Sequence, residues 1–214
     1  MLSRNGFSRS VATVAGIAAL AATASLRAET IIDEWASVKA PAPPMLKPVT
    51  VDPKATALLL IDFNSQTCNP ERRPRCIASI PKVKLLLDKA RSAGMPVAFS
   101  LGGGGKITDI ASDLTPIAGE PVVSSGVDKF LNTELEKILK DRGVSTIIAC
   151  GNAAHGAVIY TVAAATARGF KVIVPVDCVS ADTLYPEQYT VWHFANAPVI
   201  SSSITLTSLA DLKI

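Results

Sequence analysis

Beyond residue 54 the sequence alternates between apolar runs of strand length and amphipathic runs of helix length, and this alternation constrains the fold more than any other feature. Residues 55–63, 95–100, 145–150 and 170–176 are short stretches dominated by Val, Ile, Leu and Ala. Residues 80–93, 133–142 and 155–168 have helix length, and a last pair follows, 186–195 as helix and 199–206 as strand. A strand that is apolar on both faces needs cover on both faces, which is the habit of parallel sheets flanked by helices. The predicted fold is therefore a three-layer α/β/α sandwich with a mainly parallel central sheet, one domain over residues 55–214. A composition of 49% hydrophobic and 18% charged residues excludes a disordered chain or a polyionic nucleic-acid tail.

The net charge of +3 points to an anionic partner only until its location is considered. Residues 1–28 hold Arg4, Arg9 and Arg27 with no Asp, Glu or Lys, and a small apolar stretch runs from Val11 to Ala24. This has the form of a secretory signal peptide cut after Ala28, too short in its apolar part for a membrane span. The alternative is an uncleaved amphipathic anchor. Removing the three arginines leaves 18 basic residues against 18 acidic ones, so neither a nucleic-acid partner nor stable membrane insertion after processing is expected. Residues 29–54, with five prolines, are predicted as an extended N-terminal arm. Export places the protein in the periplasm or outside the cell, where disulfides persist. Cys68 and Cys76 flank a Pro-rich polar stretch and are expected to pair, whereas a zinc site would need paired short spacings that are missing. Cys150 and Cys178, each ending an apolar run, are expected as buried free thiols.

In such a sheet ligands bind beyond the carboxyl ends of the strands. The residues there are Asp62, the run from Ser100 through four glycines to Lys106, Ser124 with Ser125, residues 151–157, and Asp177. Asp62 closes a strongly apolar strand, so desolvation should raise its pKa toward general acid or base duty; the alternative is a turn cap. The glycine run fails the phosphate-loop pattern, with Ser100 where Gly is needed and Ile107 where Ser or Thr is needed, so it reads as an active-site loop. His155 stands where a strand passes into a helix, as acid, base, cap or structural residue. Helix 155–168 has no charge between its ends, so it should be buried, under a second subunit or under the N-terminal arm.

These residues resemble the isochorismatase-like, or cysteine hydrolase, superfamily over about residues 55–180. Ala55 to Asp62 is similar to its first strand with the catalytic Asp, Phe130 to Leu135 to its F-x-x-T-x-L helix start, and Ile147 to Gly151 with Ala154 and His155 to its nucleophile segment. The stretch Val174 to Ala181 is similar to the strand that follows, with Asp177 as its Asp. The resemblance implies an Asp, Lys and Cys triad and a non-proline cis peptide, here at Asn152-Ala153. By this register the Cys position is Ala157, and the Lys position falls at Ser124 or Ser125, with Lys129 on the wrong side of a turn and Lys106 able to contribute only if the glycine loop folds inward. The isochorismatase branch offers a precedent, with Gly at the Cys position, Ala-His before it, and vinyl ether hydrolysis through an Asp proton donor.

The expectation is thus a hydrolase without covalent catalysis. Asp62 and His155 are its catalytic candidates, Gly156 and Ala157 hold an oxyanion, and Ser124 and Arg73 contact a small substrate. Arg72, Arg73 and Arg75 could attract a carboxylate, or form a solvated loop. No cofactor or metal is called for, and a homo-oligomer is expected. The alternative is an inactive small-molecule-binding protein that keeps the fold.

Overall fold

The computed structural model describes residues 30–214 and divides the chain after Ala40. The expected signal peptide lies outside the described residues. In the first unit, α1 (Ile31–Glu34) is a single turn whose start is fixed by Thr30 donating its amide to Asp33 Oδ2 at 2.9 Å. No helix of the described residues is long and apolar enough to cross a membrane.

The second unit, Pro41–Ile214, is built on a parallel sheet. Its strands are β2 (Thr56–Ile61), β3 (Val97–Leu101), β4 (Val122–Ser124), β5 (Thr146–Asn152), β6 (Lys171–Pro175) and β8 (Ile204–Thr207), in the order β4-β3-β2-β5-β6-β8. The short β7 (Val179–Ser180) extends β5 at its carboxyl end. All these ladders are parallel. Every residue of β2 is buried, which is what its unbroken Thr-Ala-Leu-Leu-Leu-Ile sequence requires at the sheet centre. Within the segment read as an arm, β1 (Val49–Thr50) pairs in parallel with β9 (Leu212–Lys213), so this part is tied to the carboxyl terminus.

The flanking helices are α2 (Pro74–Ser92), α3 (Leu135–Asp141), α4 (Ile159–Ala167) and α5 (Leu184–Asn196). Helix α2 starts six residues before the periodicity suggests, because Pro74 sits at its first position, where a missing N–H costs nothing. The uncharged stretch 155–168 is not one buried helix. A wide turn over Ala154–Val158, with Gly156 at φ −118° and ψ −112°, leads into α4, which buries Thr161, Val162 and Ala165 and exposes Tyr160.

Both cysteine pairs are joined. Cys68–Cys76 matches the expected crosslink. Cys150–Cys178 corrects the expectation of free thiols: β7 lies on the end of β5, with Gly151 paired to Val179, and this brings the two sulfurs together.

Candidate active site

The central strands end together. Ile61 of β2 is in register with Ser100 of β3 on one side and Gly151 of β5 on the other, so the residues following all three share one edge. Gly151, at φ +152°, permits this approach, since a Cβ there would lie 2.2 Å from the Ile61 carbonyl oxygen. Asp62 turns out of the strand at φ +58°, a conformation costly for a residue other than Gly, and its carbonyl accepts from Asn152 Nδ2 and Thr67 Oγ1, both at 2.6 Å.

The Asp62 carboxylate is 4% exposed and held at both oxygens. Ser100 Oγ donates to Oδ1 at 2.8 Å, and Lys129 Nζ lies 2.8 Å from Oδ2. Burial pushes the Asp62 carboxyl above its ordinary value, against the opposing pull of Lys129, Ser100 and Arg73. Gly102 makes room for this group, because a Cβ there would stand 2.5 Å from Asp62 Oδ2. Its backbone is fixed by the buried Asn64, whose Nδ2 donates to Gly102 O at 3.0 Å while Oδ1 accepts from Gly102 N at 3.3 Å.

The cation beside Asp62 is Lys129, which corrects the expectation that it lies on the wrong side of the turn. Its side chain has no exposed area, and Nζ also donates toward Gly126 O (2.7 Å), Ser125 O (3.2 Å) and Leu101 O (3.4 Å). Three protons facing four acceptors leave Lys129 a fixed charge with no donor to spare. Thr161 on α4 anchors the same residue, its Oγ1 accepting from the Lys129 amide at 3.2 Å. Ser124 is exposed at the end of β4, and Lys106 is exposed, so neither is the cation's substitute.

The peptide bond Asn152-Ala153 is cis, as the resemblance implies. In the turn that follows, Ala157 is buried and His155 is exposed. The Gly156 amide is already engaged, donating to Ala153 O at 2.9 Å. Arg73, half-buried, donates through Nη1 to Thr67 O at 2.8 Å and Asn152 Oδ1 at 3.4 Å, so it ties the crosslinked loop to the end of β5. Burial, followed by Arg72, lowers its guanidinium pKa, while Asp182 and Asp62 oppose the change. Arg75 pairs with Glu187 at 2.5 Å, and Arg72 is exposed. Asp177 lies elsewhere in the network, with Oδ1 accepting from the Leu209 amide at 2.8 Å. Among the described residues no group of three His, Cys, Asp or Glu side chains could hold a metal ion.

Asn64 carries no signal in the sequence, Ser100 and Asn152 stand out there only as members of strand-end runs, and Lys129 only as a cation facing away. The signals for the last three were faint: a polar residue ending an apolar strand in two cases, and a lone Lys directly before Phe130.

A parallel α/β sandwich with a buried Asp–Lys pair at its strand ends, beside a strand-to-helix turn, puts its ionisable groups at the edge where such sheets bind ligands. The Isochorismatase domain family matches residues 56–204, and the chain belongs to that family. A curated relative, the secreted isochorismatase effector Isc1 of Verticillium dahliae, is 31% identical over 144 residues, covering 62% of this chain and 76% of that protein. Among solved structures, an isochorismatase from Pseudomonas putida KT2440 aligns with a TM-score of 0.68 at 20% identity, over 77% of this chain and 93% of that one. The N-carbamoylsarcosine amidase of Thermoplasma acidophilum aligns at 0.63 and 20% identity, over 72% and 96%. At these identities the structures speak for the fold alone.

Proposed function

We propose that this chain is an exported hydrolase of a small, carboxylated molecule, working by acid–base catalysis without a covalent intermediate. The observation that carries the reading is the Asp62 carboxyl, buried between Lys129 and Ser100, beside a turn where residue 157 is Ala and offers no nucleophile. For a vinyl ether, Asp62 donates its proton to the alkene carbon, and water adds to the resulting oxocarbenium carbon and returns a proton to Asp62. The hemiketal then breaks its C–O bond, its hydroxyl proton passing to the departing oxygen, to release an alcohol and a carbonyl product. Lys129 and Ser100 hold the intervening carboxylate. In the same reading the Ala157 amide binds developing negative charge, with Gly156 shaping the turn. His155 assists proton transfer at its exposed edge, and Arg73 and Ser124 meet the substrate's polar groups.

Two disulfides and a secreted relative support export, to the periplasm or the medium. Homo-oligomerisation belongs to the reading as well. The test is turnover of vinyl ethers, amides and esters by the oxidised protein. Positioned general acids contribute about 10²–10⁴-fold, so Asp62→Asn should lose at least about 100-fold. An unchanged rate would sink the mechanism, and tight binding of a small acid without turnover of any substrate would make the chain a binding protein.

A further inference from the structure

Helix α2 presents one continuous side to a furrow that does not include Asp62. Arg75, Ser79, Lys82, Leu85, Leu86 and Lys89 recur at three- and four-residue steps, so they share that side. The first three line a cleft of about 270 Å³, bounded by the 176–180 segment and by Glu187 of α5. From Lys82 onward the same side lines a second cleft of about 350 Å³, against Leu209 and Leu212 near the carboxyl terminus. Lys82 and Asp177 line both, so the two clefts meet between them. None of Asp62, Lys129 and Ala157 lines either one.

The charges at this junction differ from the others along the helix. Lys84 pairs with Asp88, Arg91 with Glu120, and Arg75 with Glu187, whose Oε1 also accepts from the Ala181 amide at 2.9 Å. Lys82 and Asp177 have no ion-pair partner among the described residues, and they border the furrow without pairing with each other. Asp177 Oδ1 accepts from the Leu209 amide at 2.8 Å, which leaves Oδ2 free. A third polar group in the smaller cleft is idle. Ser79 Oγ donates to Cys76 O at 2.7 Å, but Ser180, 3% exposed, has an Oγ with no hydrogen-bond partner. An enclosed hydroxyl without a partner is costly, and a ligand in the cleft relieves it. Beyond the junction the lining turns aliphatic, with Leu85, Leu86, Leu209 and Leu212, and the exposed Lys89 stands at the rim.

We propose that this furrow is a second small-molecule site, for an α-amino acid with an aliphatic side chain. The ligand's carboxylate lies between Lys82 and Ser180, its ammonium meets Asp177 Oδ2, and its side chain runs over the leucines. Free charges of opposite sign in one furrow select a ligand that carries both. A simple carboxylate beside Lys82 leaves Asp177 as an unpaired like charge, and a simple amine beside Asp177 does the same with Lys82. The site does not rest on the hydrolase reading above, and neither depends on the other.

Calorimetric titration of the oxidised full chain with L-leucine tests it, beside two analogues that each lack one charge, 4-methylpentanoate and 3-methylbutylamine. L-leucine should bind at least about 10-fold more tightly than either analogue, the effect of one hydrogen bond to a charged group. It should exceed glycine, which has no side chain for the leucines, by about the same factor. Lys82 is exposed, so Lys82→Ala leaves the core intact, and Asp177→Asn keeps an acceptor for the Leu209 amide. Each should weaken L-leucine at least about 10-fold. Ser180→Ala should weaken it as well, without lowering the melting temperature of the free protein, because the hydroxyl removed has no partner there. No binding of L-leucine overturns the proposal, and so does binding that Lys82→Ala and Asp177→Asn leave intact. A singly charged analogue that binds as tightly as L-leucine overturns it too. Absence of hydrolase turnover leaves all of these results standing, so the two readings fail separately.

Discussion

Lys129 Nζ stands 2.8 Å from Asp62 Oδ2, with the lysine fully buried and the carboxylate nearly so. Breaking such a pair from one side leaves an uncompensated buried charge, which costs about 3–5 kcal/mol. Lys129→Met should lose stability of that order at neutral pH, because it leaves the buried Asp62 carboxylate alone. The double variant with Asp62→Asn should recover most of the loss, since neither charge then remains. Urea unfolding of the two single variants and the double measures it, and additive losses would show that the two groups are not coupled.

The pH dependence has a definite sign. Burial raises the folded-state pKa of Asp62 above its ordinary value of 3.8, so the folded chain binds this proton more tightly than the unfolded one. The corresponding stability is fully present below about pH 4 and is lost as pH rises through the folded pKa. A rate that needs protonated Asp62 should fall over the same limb. Lys129→Met, which removes a lowering influence, should move that limb to higher pH in carboxyl-carbon NMR titration; a move to lower pH would contradict the assignment.

Gly102 is the position where one methyl group should act most directly on the Asp62 carboxylate. A Cβ there would meet Asp62 Oδ2 at 2.5 Å, so Gly102→Ala must displace the carboxylate, at a cost of about 1–3 kcal/mol. Gly126→Ala, whose Cβ meets nothing within 4 Å, is the matched control and should stay within about 0.5 kcal/mol. Thermal unfolding of both variants separates a steric effect from a general loss of glycine.

The two disulfides should differ in weight. They close loops of 8 and 28 residues, for which chain-entropy estimates are about 2.5 and about 3.6 kcal/mol. Replacing Cys150 and Cys178 together by Ala should therefore cost about 1 kcal/mol more than replacing Cys68 and Cys76. Chemical denaturation under non-reducing conditions makes the comparison.

The layers were legible in the sequence because a strand buried on both faces must be apolar throughout, as β2 is. The place of Asp62 at the end of that strand was legible for the same reason. The cation was not. Whether Lys129 points toward Asp62 depends on the turn 125–129, where the Ser125, Gly126 and Leu101 carbonyls collect around Nζ. A count of residues back from Phe130 carries no information about which way such a turn faces. The second disulfide escaped for a related reason, since 28 residues separate its cysteines and only the pairing of β7 on β5 joins them.

By itself, then, the sequence determined the parallel α/β sandwich, the strand that delivers Asp62 to its edge, and the short crosslink of Cys68 with Cys76. Only the tertiary structure decided that Lys129 and Ser100 hold the carboxylate, and that Asn152 and Arg73 tie the neighbouring loops together. Hydrophobic periodicity is local and survives in one dimension. Contacts among side chains from four strand ends depend on turns and on long-range pairing, which exist only once the sheet has assembled.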